Sequence, residues 1–103
     1  MEMVFVYTTF PDMETAKGIV RELLHRKLIA CANLREHESI YTWKGEIREE
    51  REVGAILKTA VEKWKALKES LRELHPYEVP LILRIDVDRV NSEYAKWLEE
   101  VLS

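Results

Sequence analysis

Cys31 and His75 are the residues of this 103-residue chain best suited to hold a borderline metal ion. Thiolate and imidazole together suit copper or zinc. His75 stands just before Pro76, at the end of a helical pattern, which fixes where its ring begins. No two potential ligands show the close spacing of a known metal motif, so the fold would have to bring them together. A single buried cysteine otherwise packs as a small hydrophobe. Lys58 closes an apolar strand and faces Cys31 in the strand pairing derived below. It can hold a thiolate or bind a small anion, or simply carry its charge out to water. Glu49, Glu50 and Glu52 form an acidic cluster, either a solvated face or a weak site for hard cations. His25 and His37 read as solvated. Nothing assembles a nucleophile, a base and an orienting group, and no glycine-rich phosphate loop or hydrolase motif occurs. Thr8-Thr9-Phe10-Pro11 is not convincing as a phosphate cradle. The chain therefore reads as a binding protein, not an enzyme.

These residues sit in one expected domain spanning residues 1–103. Apolar residues make up 47% of it, which places it among globular chains. Its net charge of −3 argues against nucleic acid as a main partner. No apolar run is long enough to span a membrane. The first residues lack a basic leader and enter a strand pattern directly, so a signal peptide is not expected and a cytoplasmic location follows by default. With one cysteine, no disulfide can form within the chain. Charged residues reach 34%, and the chain has no Gln and only two Asn. That balance fits a thermostable protein, because ion-pair networks gain value with temperature and labile amides are depleted.

The positioning elements follow from periodicity. Residues 3–9 are apolar, β-branched and aromatic, a buried strand. Asp12 is placed to cap a helix over residues 13–27, with Ala16, Ile19, Val20, Leu23 and Leu24 as its apolar stripe. Residues 29–59 read as one long β-hairpin about a Lys44-Gly45 turn. Opposed positions then add to 89, setting Cys31 against Lys58 and His37 against Glu52. Thr59 and Glu62 match a capping box that opens a helix to residue 74. Residues 81–87 alternate as a strand. Asn91 is placed to cap a last helix, with Tyr94, Trp97, Leu98, Val101 and Leu102 inward. The order β-α-β-β-α-β plus a terminal helix is the α+β, ferredoxin-like plan, an antiparallel sheet with helices on one face.

That plan leaves a second sheet face uncovered. Val4, Val6, Ala30, Ala32, Leu34, Val53, Ala55 and Leu57 are expected toward the helices. Phe5, Tyr7, Ile29, Cys31 and Ile56 are expected on the opposite face, an apolar patch of a kind that marks an interface. The arms of the hairpin exceed the typical strand of about five to six residues, and its tip carries Tyr41 and Trp43. Aromatic anchors of this kind are enriched at interfaces, so another copy of the chain is the expected cover.

The ordered pieces Val6-Tyr7-Thr8-Thr9 with Pro11, Leu28-Ile29-Ala30-Cys31-Ala32-Asn33, Tyr41-Thr42-Trp43-Lys44-Gly45, Glu52-Val53, Ile56-Leu57-Lys58-Thr59, His75-Pro76-Tyr77 with Val79-Pro80, and Tyr94 with Trp97-Leu98 carry a resemblance. Along nearly its whole length the chain resembles the CutA family of divalent-cation tolerance proteins. The resemblance implies a homotrimer, similar in architecture to the PII signalling proteins, whose long hairpins wrap neighbouring subunits at Tyr41 and Trp43. It implies binding of Cu²⁺ or other divalent ions at a cleft between subunits. Its proposed site maps onto Cys31 and His75, with Glu52, Lys58 and Tyr77 as further candidates. Mechanisms that need two thiols do not apply to this chain. Two other readings stay open. One is a PII-type signalling or adaptor module that binds a small anionic ligand through Lys58. The other is a structural trimer whose acidic surface attracts cations nonspecifically.

Overall fold

A computed structural model describes residues 2–103. Its elements are β1 (Met3–Phe10), α1 (Met13–His25), β2 (Cys31–Trp43), β3 (Glu46–Ala60), α2 (Trp64–Leu74), β4 (Leu83–Asp86) and α3 (Ser92–Leu102). The four strands form one antiparallel sheet in the order β2-β3-β1-β4. This is the expected α+β plan.

The β2–β3 register is the expected one at every pair, from Cys31 against Lys58 to Trp43 against Glu46. Lys44 and Gly45 both take positive φ, 50° and 81°. That is the type I′ geometry that matches strand twist, here with lysine where Asn or Asp is preferred. β1 pairs with β3 only over residues 53–60. Residues 46–52 of β3 pair with β2 alone, so about 23 Å of two-stranded ribbon projects beyond the sheet. The molecule is 45 Å along its longest axis as a result.

The core lies between the sheet and the pair α1, α2. Val6, Phe10, Val53, Ala55 and Leu57 meet Ala16, Val20, Leu23, Leu67 and Leu71 there. A smaller cluster joins α3 to Met3, Ala30 and Ala60 through Leu98 and Leu102. Two faces are thereby exchanged relative to expectation. Ile29 is fully buried in the main core, and Ala30 lies with α3. Both precede the regular strand, where alternation does not hold.

Local chemistry explains the other departures. α1 ends at His25, because Lys27 turns left-handed at φ 57°. The N–H groups of Lys27 and Leu28 then bond the carbonyls of Leu24 and Leu23, a Schellman closure that buries Leu28. Leu24 is left exposed. Thr59 is not a cap. It stays in β3, fully buried, and its hydroxyl donates to the Leu28 carbonyl at 2.7 Å. The chain then makes a short 3₁₀ turn over Val61–Lys63 before α2. β4 is shorter than expected and α3 leaves Trp97 exposed. Asp12 does cap α1, accepting from the Thr15 N–H at 2.7 Å.

The helices are not all on one face: α3 packs on the face opposite α1 and α2, over Met3, Phe5 and Ala60, and on the rest of that face Ile56, Leu83 and Ile85 are 37%, 46% and 49% exposed. Strand parity puts Phe5, Tyr7, Cys31 and Lys58 on this same face.

Candidate functional site

Every odd residue of β1 and β2 and every even residue of β3 points to the face opposite α1 and α2. Near the root of the ribbon this brings Thr9, His37, Ser39 and Glu52 together. The Pro76–Pro80 segment that leads into β4 adds Tyr77. The resulting cleft has a volume of about 690 Å³.

Glu52 is its centre. The Tyr77 hydroxyl donates to Glu52 Oε2 at 2.6 Å. His37 Nε2 lies 3.8 Å from Glu52 Oε1 and 3.0 Å from Ser39 Oγ. The Glu52 side chain is only 10% exposed. Burial by itself pushes its pKa up. Hydrogen bonds from Ser39, Tyr77 and Thr9 and the nearby His37 outweigh that, and the net shift is downward. A nearly buried carboxylate is thus kept ionised. Among the described residues, no Lys or Arg makes an ion pair with it. The Tyr77 hydroxyl is pushed up well above the ordinary range, first by burial and then by its bond to Glu52.

Gly54 makes room for this arrangement. A Cβ there would meet the Tyr7 hydroxyl at 2.8 Å and His37 Cε1 at 3.0 Å. Only a residue without a side chain lets both rings lie against β3.

His75 supports the cleft from behind. Its backbone closes α2 by bonding Leu71 at 2.9 Å. Its ring stacks on Phe10 with centroids 4.9 Å apart and an interplanar angle of 16°. Nδ1 accepts the Tyr77 N–H at 3.1 Å, so Nε2 carries the proton that bonds the Thr9 carbonyl at 2.7 Å. The assignment of the proton follows from those partners. Burial lowers the pKa of His75, against the opposing pull of the Thr9 carbonyl and Glu52. Both ring nitrogens are engaged, so His75 has no lone pair left for a metal. It fixes the Tyr77 backbone and thereby the hydroxyl that holds Glu52.

Cys31 and Lys58 are opposite each other, as the register requires. The structure does not bring them to His75. Lys58 pairs with Phe5, whereas His75 holds Thr9, four residues further along β1 or about 13 Å. In one chain, Cys31 and His75 are therefore not co-ligands. Lys58 Nζ lies 5.8 Å from the Phe5 ring centroid and 5.7 Å from that of Tyr94. Burial raises the pKa of Tyr94, and its hydrogen bond to the Cys31 thiol adds to the shift. A cation at Cys31 would meet the Lys58 ammonium, which disfavours it.

Tyr41 and Trp43 line the distal part of the Glu52 cleft. His37 is the residue that sequence reasoning missed. Its pairing with Glu52 was available from the register, but its period-2 neighbours are polar, which made it look solvated. Thr8, the residue before Thr9, points the other way and has a fully buried hydroxyl without a partner.

Among the described residues, no three His, Cys, Asp or Glu side chains gather as a complete metal cage. The donor set that does fit a divalent ion is the Glu52–His37 pair. An ion about 2.0–2.2 Å from each atom spans their 3.8 Å separation.

Comparisons with known proteins agree with this architecture. A family model described as CutA1 divalent ion tolerance protein matches residues 4–101. The divalent-cation tolerance protein CutA of Thermococcus kodakarensis is 62% identical over 102 residues, covering 99% of this chain and 98% of that protein. The crystal structure of CutA1 from Pyrococcus horikoshii superposes with a TM-score of 0.93 at 59% identity, covering 95% of this chain and 96% of that one. The periplasmic divalent cation tolerance protein CutA of Archaeoglobus fulgidus does so with a TM-score of 0.95 at 33% identity, over 98% and 99% of the two chains. This chain belongs to the CutA1 family of divalent ion tolerance proteins.

Proposed function

We propose that this chain contributes to divalent-cation tolerance by binding the ion, Cu²⁺ among them, at the Glu52–His37 cleft of a homotrimer. The observation that carries the reading is Glu52, an ionised carboxylate almost fully buried without a Lys or Arg partner. Carboxylate and imidazole together suit copper and zinc. Two donors leave the rest of the coordination shell to water or a neighbouring copy. Cys31 can join only across a subunit boundary.

Assembly rests on the half-exposed apolar face of Ile56, Leu83 and Ile85 and on the projecting ribbon. Contiguous apolar patches of this kind mark interfaces. The threefold stoichiometry is the one the family resemblance implies. Binding, not catalysis, is the role these groups support. Glu52 Oε2 and both His75 nitrogens are held by fixed partners, and no nucleophile lies beside a free base.

Copper titration of the purified protein and of Glu52→Gln, His37→Ala and Cys31→Ala tests the site. Loss of a ligand is expected to weaken binding at least about tenfold for the first two, while Cys31→Ala stays within twofold. Equal affinity in all four proteins would overturn the assignment. Light scattering on the same samples measures the stoichiometry, and a monomer would overturn the assembly.

A further inference from the structure

β4 begins at Leu83, although the alternation that defines it starts at Leu81. The sheet itself shows which pair comes next. β1 and β4 are matched so that opposed positions add to 90, from Val4 against Asp86 to Tyr7 against Leu83. The Val87 N–H bonds the Met3 carbonyl at 3.1 Å, so the odd residues of β1 carry the hydrogen bonds of this ladder. The next bonded pair is therefore Thr9 with Leu81. It would run from the Leu81 N–H to the Thr9 carbonyl and from the Thr9 N–H to the Leu81 carbonyl.

The local sequence permits that pair. Leu81 and Ile82 continue the alternation of β4, and Ile82 already packs against the main core. Pro80 lacks a donor, but it falls opposite Phe10, where a β4 residue turns its N–H away from β1. An edge strand accepts proline at such a position.

A side chain takes the place of the pair. His75 Nε2 donates to the Thr9 carbonyl at 2.7 Å, the acceptor that Leu81 would use. The same ring stacks on Phe10 at 4.9 Å, the residue that Pro80 would oppose. His75 thus fills the edge of β1 where β4 would run on. Its Nδ1 accepts the Tyr77 N–H at 3.1 Å, and the Tyr77 hydroxyl reaches Glu52 at 2.6 Å.

We propose that His75 is a strand stop: by occupying the Thr9 carbonyl it ends β4 at Leu83 and holds residues 76–82 as a strap, whose other seat is the edge of β1 with Leu81 paired to Thr9. Two donors of one chain compete for one carbonyl. Tyr77 lies in the strap, so its hold on Glu52 depends on the seat taken. The inference holds whether or not Glu52 takes an ion.

The test is nuclear magnetic resonance of the intact, isotope-labelled protein. It reads the scalar coupling that passes through a hydrogen bond from an amide nitrogen to a carbonyl carbon. The Val87–Met3 coupling checks that the sheet is folded, since that bond exists in either seat. In the wild type the Leu81–Thr9 coupling is expected to be absent. This measurement needs no variant. His75→Phe keeps a flat ring on Phe10 but cannot donate. His75→Asn is too short to reach Thr9 but keeps an acceptor near the place of Nδ1. In both, the Leu81–Thr9 coupling is expected to appear, and the Leu81 amide to exchange with solvent at least about tenfold more slowly than in the wild type. His75→Gln carries a donor near the place of Nε2, so it is expected to keep the stop and show neither change. A Leu81–Thr9 coupling in the wild type, its absence from the folded Phe and Asn variants, or its appearance in His75→Gln at the strength seen in His75→Phe would overturn the proposal.

Discussion

The two ends of the sheet face opposite α1 and α2 hold similar parts and use them differently. At the Glu52 end, donors from β1, β2 and the Pro76–Pro80 segment converge on one carboxylate of β3 and keep it charged. At the Cys31 end, the polar groups are a thiol and an ammonium, and their neighbours are the rings of Phe5 and Tyr94. The first end has a buried negative charge without a partner cation. The second carries its own. The difference shows why a list of metal-binding residue types is a poor guide to a metal site. Cys31 is the softest donor in the chain, yet it lies beside a fixed positive charge. Glu52 is an unremarkable residue in an acidic run, yet the fold gives it the environment of a cation site.

The largest expected effect separates the ends by stability. His75→Ala removes the stack on Phe10 and leaves the Thr9 carbonyl and the Tyr77 N–H without their partner. It is expected to cost about 2–4 kcal/mol, as a cavity plus unsatisfied buried groups. Cys31→Ser, at a half-buried position, is expected to cost less than about 1 kcal/mol. Denaturant unfolding of both variants measures the contrast, and comparable losses would remove it.

A smaller effect tests the packing that creates the Glu52 end. In Gly54→Ala, the new methyl meets the Tyr7 hydroxyl and the His37 ring. Overpacking of this kind is expected to cost about 1–3 kcal/mol and to weaken copper binding by displacing His37. A variant that is fully stable and binds copper normally would show that neither ring needs its present place.

The smallest expected effect is in the pH dependence of stability. The folded pKa of His75 lies below its ordinary 6.5, so the unfolded chain binds this proton more readily than the native one. Stability is therefore unaffected above that value and falls as pH drops through it toward the folded pKa. The folded pKa of Glu52 is also depressed, from 4.5, so its contribution is present above 4.5 and lost as pH falls further. Two steps are expected in thermal unfolding between neutral and acid pH. His75→Phe should abolish the upper step and keep the lower. A pH profile identical to that of the parent would show that His75 does not stay neutral when folded.

Much of this molecule was legible in particular residues. The Lys44-Gly45 turn and the alternation on either side defined the hairpin register, because a slip of one residue would send every side chain to the wrong face. That register placed Cys31 against Lys58 and His37 against Glu52. The stripe of α1 and the Asp12 cap also follow from short-range periodicity. Thr59 shows the limit. Its spacing to Glu62 matched a helix cap, but a strand partner in β1 and the Leu28 carbonyl hold it in β3. Local propensity lost to tertiary pairing there.

The sequence by itself determined the order of elements, the register of the ribbon and, within the regular strands, the residues that share each face of the sheet. These depend on the repeat distances of helix and strand, which act between near neighbours in the chain. Only the tertiary structure decided which of those residues make a site. His75 lies 66 residues from the Thr9 carbonyl that engages it, and Tyr77 lies 25 from the Glu52 it holds. No periodic pattern encodes contacts over such separations. They arise when the Pro76–Pro80 segment packs against the edge of β1, and that packing turns His75 into a support, Glu52 into a buried charge and Cys31 into a neighbour of neither.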